Sequence, residues 1–218
     1  MKIGIFDSGI GGLTVFKEIS KALPSFEIIY LGDTARLPYG IKSKRTIDRY
    51  SINNVKLLKS LDCEIIVIAC NTASSYSTNL LKSKFKIPIF DVISAGVKAA
   101  LKDNPKILGV IGTDSTINSM AYNKMILNNN SNIKVYTKAC SIFVPIIEQG
   151  LIKKKHYNKI IEENLKFFKN KNLNSEEIYL YPIDSLLKKG KTSSDELIEK
   201  FLNNWDKKVV NMYKEYTF

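Results

Sequence analysis

Short runs of branched apolar residues alternate along this chain with longer stretches in which apolar positions recur every three or four residues. The runs at 2–6, 27–31, 65–69, 88–90, 107–111 and 132–136 are bounded by turn residues and predict strands. The segments 11–22, 43–60, 73–84, 94–101 and 115–127 predict helices. Strands this uniformly apolar are buried on both faces, and their regular exchange with helices predicts a doubly wound α/β fold with mainly parallel sheets. Asn128-Asn129-Asn130-Ser131-Asn132 reads as a surface turn. Beyond it the pattern predicts a helix over 153–169, a strand at Ile178 to Leu180 and a last helix over about 195–213.

Ligands of open α/β sheets collect outside the carboxyl ends of the strands, and four of the predicted strands end in small polar turns. The first ends in Asp7-Ser8-Gly9-Ile10-Gly11-Gly12, whose glycines let backbone N–H groups approach an anion. It lacks the full dinucleotide spacing, and no P-loop lysine follows it. The second ends in Gly32-Asp33-Thr34 and runs on to Leu37-Pro38-Tyr39-Gly40. The third, Ile65-Ile66-Val67-Ile68-Ala69, delivers the thiol of Cys70 and then Asn71-Thr72-Ala73-Ser74-Ser75. The fourth ends in Gly112-Thr113-Asp114-Ser115-Thr116. A thiolate at Cys70 could act as base or nucleophile, activated by the N-terminus of the helix that starts near Thr72. The same residue reads equally well as a buried core cysteine, and the segment alone supports both.

These motifs, in this order, together with Ala139-Cys140-Ser141-Ile142-Phe143-Val144-Pro145-Ile146-Ile147-Glu148-Gln149-Gly150, resemble the glutamate racemases of the cofactor-independent aspartate/glutamate racemase superfamily over residues 1 to about 152. The resemblance implies two doubly wound lobes with the active site between them, the first formed by 1–93 and about 190–218, the second by 94–189. It implies that Cys70 is one of two catalytic thiols, with Asp7 and Glu148 also catalytic and Asp33 and Glu148 falling where the family has supporting acidic residues. Asp7, Ser8, Asp33, Tyr39, Gly40, Asn71, Thr72, Thr113 and Thr116 then hold the amino acid. The implied activity is interconversion of L- and D-glutamate for peptidoglycan synthesis by α-proton transfer, with glutamate as partner and no cofactor or metal. The family carries its second catalytic cysteine in a Gly-Cys-Thr-His segment. This chain reads Ile178-Tyr179-Leu180-Tyr181-Pro182-Ile183-Asp184-Ser185 where that segment is due, so the opposing thiol and its histidine are missing and the second lobe should be reduced. Racemisation needs a base on one face of the α-carbon and an acid on the other. One thiol serves one face, which leaves a one-thiol lyase or decarboxylase of the same superfamily, or a non-catalytic amino acid-binding protein, as alternative readings.

Composition narrows the partners. The formal charge is +12 over 218 residues, but only Arg36, Arg45 and Arg49 are arginines. Phosphate and base recognition favours arginine forks, so Lys153-Lys154-Lys155 and Lys188-Lys189 read as solvated surface and nucleic acid is not expected. Cys63, Cys70 and Cys140 have no disulfide or zinc spacing, which suits a reducing cytoplasm, and no apolar run reaches membrane-span length. Cys63 reads as packing, and Cys140 does not fall on a catalytic position of the family. His156 reads as a helix-surface residue. Trp205, Tyr213, Tyr216 and Phe218 read as packing or as a contact in a homodimer.

Overall fold

The computed structural model describes residues 1–148, 155–169, 171 and 178–180. Two parallel sheets organise them. The first has the order β2-β1-β3-β4, built from β1 (Lys2–Asp7), β2 (Glu27–Gly32), β3 (Ile65–Ile68) and β4 (Ile89–Asp91). The second has the order β6-β5-β7, built from β5 (Ile107–Gly112), β6 (Lys134–Ala139) and β7 (Ile178–Leu180). Both place their earliest strand beside two later ones, with Phe6 in register with Ile68 and Ile111 in register with Leu180.

Side chains on a strand point alternately to the two faces, and the first sheet uses both. Ile3 and Ile5 of β1 and Ile65 and Val67 of β3 lie in a layer with Val15, Phe16 and Ile19 of α1 (Leu13–Ala22). Phe6, Ile66 and Ile68 face the other way, against Ile47, Val55 and Leu58 of α2 (Lys44–Ser60) and Ala73 and Leu81 of α3 (Asn71–Lys84). Gly4 lies on this second face. A Cβ there would come within 3.0 Å of Cys63 Sγ, Ile66 Cδ1 and Leu58 Cδ1, so glycine is what lets α2 approach the sheet. Cys63 is buried in the same layer, the packing role that its sequence position suggests.

The chain crosses to the second sheet through α4 (Val92–Ala100), whose N-terminus is capped by Asp91 through Ser94 N at 2.8 Å and Ser94 Oγ at 2.7 Å. Ile93 and Val97 of α4 pack with Leu108 and Val110 of β5 and with Tyr122 and Ile126 of α6 (Ala121–Asn129). Ile161, Leu165 and Phe168 are buried on α8 (Lys155–Lys169), spaced as one face of a helix.

Most predicted elements stand within a few residues of their expected ends, with three differences. The helix expected over 115–127 is two helices, α5 (Asp114–Asn118) and α6, separated at Met120, which adopts φ 58°. A short helix, α7 (Phe143–Glu148), and 3₁₀ turns at Thr34–Arg36 and Tyr39–Ile41 were not expected. The strand expected over 132–136 runs over Lys134–Ala139, because it pairs along the whole of β5 from Ile107 to Gly112. The predicted helix over 195–213, the first-lobe return of 190–218 and the aromatic residues Trp205, Tyr213, Tyr216 and Phe218 lie outside the described residues.

Candidate active site

The carboxyl ends of β1, β3 and β5 converge, and nearly all the polar residues singled out in the sequence lie there. β1 ends in Asp7, whose buried carboxylate accepts N–H bonds from Gly9 at 3.3 Å and Gly12 at 3.0 Å. Gly12 is required by contact: a Cβ there would lie 2.7 Å from Asp7 Cβ and 2.8 Å from Ala69 Cβ. Burial raises the Asp7 pKa, opposed by the Gly12, Gly9 and Ser8 N–H groups and by the Cys70 thiol.

β3 delivers Cys70 as the N-cap of α3, with its sulfur accepting from Ala73 N at 3.4 Å and its thiol donating to Ser8 Oγ at 3.5 Å. A helix N-terminus favours a thiolate, yet the Cys70 pKa is pushed up to about 12, first by burial and then by the negative charge of Asp7. The expected activation by the helix is therefore outweighed by burial and by Asp7. The thiol holds its proton until something offsets Asp7 or the loss of solvation.

The next two residues reach toward the second sheet. Thr72 Oγ1 lies 3.0 Å from Thr113 Oγ1 and 3.3 Å from Thr116 Oγ1, and Thr113 and Thr116 are 3.0 Å apart. This triangle of hydroxyls joins the N-termini of α3 and α5, and the dipole of α3 favours negative charge there. Asn71 accepts at Oδ1 from the Tyr122 hydroxyl at 2.8 Å. Its Nδ2 is buried and has no hydrogen-bond partner among the described residues. A buried amide donor left unpaired costs about 1–3 kcal/mol, and such groups mark places where a ligand or water completes the bonding.

Gly40 brings the 3₁₀ turn Tyr39–Ile41 directly against the second lobe: a Cβ on it would sit 2.8 Å from Thr113 Cβ and Cγ2. Ser115 fastens the same junction by donating to Gly40 O at 2.7 Å and Lys42 O at 3.3 Å. Tyr39 and Asp33 form a group of their own just behind. The Tyr39 hydroxyl donates to Asp33 in a short bond, Asn54 Nδ2 donates to the Tyr39 oxygen at 3.1 Å, and Arg36 Nε reaches the Asp33 carboxylate at 2.8 Å. Burial, then the Asp33 bond, raise the Tyr39 pKa beyond the normal range. These two side chains are thus committed to Arg36 and Asn54, and they hold the turn that presents Gly40. Glu148 is the last residue of α7, at the far end of the helix from Cys140, and its side chain lies outside the described residues. So does that of His156 on α8.

Three residues of this region escaped the sequence reading. Ser115 was quoted only as part of a turn, and Tyr122 reads as core because it stands four residues from Ile126 on a helix. Asn54 sits in the middle of α2, where nothing local marks a polar residue as buried.

A thiol at a strand end, a buried carboxylate beside it and hydroxyls from two facing helix N-termini lie together at the strand ends of a two-sheet parallel α/β protein, the fold class to which thiol-dependent racemases belong. Comparison with known proteins makes this specific. The Asp/Glu/Hydantoin racemase family profile matches residues 3–166, and the chain belongs to that family. It is 51% identical over 172 residues to the glutamate racemase of Aquifex aeolicus, covering 78% of this chain and 67% of that protein. To the glutamate racemase of Hydrogenobaculum sp. it is 49% identical over 171 residues, covering 78% and 65%. The matched region thus spans about two thirds of the length of these curated relatives. Among solved structures, glutamate racemase from Francisella tularensis in complex with D-glutamate matches with a TM-score of 0.78 at 37% identity, covering 98% of this chain and 81% of that one. Glutamate racemase from Aquifex pyrophilus matches with a TM-score of 0.74 at 41% identity, covering 100% and 84%. The fold expected from the sequence, two α/β lobes with parallel sheets, is the fold of these enzymes.

Proposed function

We propose that this chain performs the one-thiol half of glutamate racemase chemistry, removal and return of the α-proton of D-glutamate at Cys70. The observation that carries the reading is the unpaired Asn71 amide beside Cys70 and the threonine triangle. One carboxylate oxygen would satisfy the Asn71 donor, and the hydroxyls of Thr72, Thr113 and Thr116 with the N-terminus of α3 would stabilise the charge that develops on that carboxylate as the proton leaves. The substrate ammonium would lie toward Asp7 and Ser8. Its positive charge offsets Asp7, the second of the two causes that hold the Cys70 proton, so substrate binding itself favours the thiolate. Asp33, Tyr39 and Gly40 shape the turn against the ligand. The two lobes divide near Ser94. No cofactor enters this scheme, and three unpaired cysteines fit a reducing cytoplasm.

In this scheme Cys70 takes the α-proton of D-glutamate as a thiolate, the carbon–hydrogen electron pair moves into the carboxylate, and the thiol so formed returns a proton. The chain has no second cysteine in a Gly-Cys-Thr-His segment, so return to the same face dominates. Incubation of the protein with D-glutamate in deuterium oxide, followed by mass spectrometry and chiral chromatography, tests this. Slow α-hydrogen washout is expected, with little L-glutamate formed and no washout from Cys70→Ala. Efficient two-way racemisation would show that another residue serves the second face. A folded protein with neither exchange nor racemisation would overturn the catalytic reading.

A further inference from the structure

The bond from Tyr122 to Asn71 crosses from the second lobe to the first and ends on a residue of the site. Met120 sets it up. With φ 58° it sits in the left-handed region that non-glycine residues enter only at a cost, and it ends α5 so that α6 starts on a new axis one residue before Tyr122. The ring of Tyr122 is buried with Ile93, Val97 and Ile126. Gly96 of α4 lies alongside, where even an added Cβ would stop 3.7 Å from the hydroxyl. Only the oxygen leaves this apolar layer, and it donates to Asn71 Oδ1 at 2.8 Å. Burial, then the charge of Asp91, raise the Tyr122 pKa, so the phenol remains a donor throughout the neutral range.

A carboxamide carries an acceptor at one end and two donors at the other. Turning the carboxamide over would set an N–H against the phenol oxygen and withdraw the Oδ1 acceptor from the phenol proton, so the Tyr122 bond favours the orientation seen. We propose that Tyr122 is a positioning residue that fixes the Asn71 carboxamide with its N–H donors toward the ligand, so that this part of the site selects a carboxylate oxygen over an ammonium group. The inference rests on the glutamate reading of the site and adds to it a residue from the second lobe, which makes the polarity of Asn71 depend on the two lobes being together.

Tyr122→Phe keeps the ring and removes the hydroxyl. Calorimetric titration of the full chain with D-glutamate is expected to show about tenfold weaker binding for Tyr122→Phe, at least as large a loss for Asn71→Ala, and no further loss when the two are combined. A packing role alone would add its full cost in the double variant. Equal affinity of Tyr122→Phe and the wild type, or additive losses, would overturn the proposal. A second measurement needs no ligand. The ¹H–¹⁵N side-chain amide signals of Asn71, assigned by their loss in Asn71→Ala, should shift and exchange faster with water in Tyr122→Phe. Unchanged signals would also overturn it. If the wild type itself does not bind D-glutamate, the functional reading fails, and the amide signals still decide whether Tyr122 orients Asn71.

Discussion

At the scale of residues, the surroundings of Cys70 alter it strongly. Its pKa is pushed up to about 12 by burial and Asp7, and that of Cys140 to about 11, chiefly by burial. Both lie above the ordinary value for a cysteine. In such a case the unfolded chain loses its protons first. The stability associated with the neutral thiols is complete below the unfolded pKa and is lost as pH rises toward the folded one. Urea titrations between pH 8 and 11 should therefore show falling stability above about pH 9, at most about 1.4 kcal/mol per pH unit for each thiol. Cys70→Ala should flatten this slope. An unchanged slope would show that the Cys70 thiol ionises as easily folded as unfolded, which would restore the helix N-terminus as the dominant influence on it.

At the scale of elements, the 3₁₀ turn Tyr39–Ile41 and helix α5 meet through Gly40 and Thr113, with Ser115 bonded to the carbonyls of Gly40 and Lys42. Gly40→Ala forces a methyl group to within 2.8 Å of Thr113, which neither backbone can absorb without moving. Overpacking of this kind costs roughly 1–3 kcal/mol. The variant should lose stability in that range in denaturant titrations and bind D-glutamate more weakly, because the threonine triangle spans the same junction. Wild-type stability and binding in Gly40→Ala would mean that the two elements separate without cost and that the junction is not held closed by this contact.

Over the whole molecule, central strands are better protected than edge strands, and β2 of the first sheet and β6 of the second each run from exposed to half-buried. The central strand β1 of the first sheet lies between β2 and β3 with apolar layers on both faces. In the second sheet, β6 ends its order, its residues run from exposed to half-buried, and β7 contributes three residues. Unpaired strand edges and thinner apolar cover lower the cost of local opening. Hydrogen exchange should accordingly be slower in β1 and β3 than in β6 and α8. Protection of β6 equal to that of β1 would point to further cover on that edge, from the rest of this chain or from a second copy of it.

The order of strands and helices was legible in the sequence because each depends on local pattern: β-branched runs, helical spacing, and turn residues at the strand ends. The residues of the site were legible for the same reason, since the end of a buried strand is a sequence position, and Asp7, Cys70, Asn71 and Thr113 each follow directly from one. What the sequence could not decide depends on contacts between residues far apart along the chain. The helix over 115–127 breaks at Met120, a residue with no turn preference, and the break coincides with Tyr122 reaching Asn71, 51 positions earlier in the chain. Tyr39 and Asp33 read as substrate ligands, yet their side chains are turned to Arg36 and to Asn54, which α2 carries beneath them. The state of the Cys70 thiol was equally out of reach: the helix N-terminus that lowers its pKa is written in the sequence, whereas the burial and the facing carboxylate that raise it exist only once β1 and β3 lie side by side.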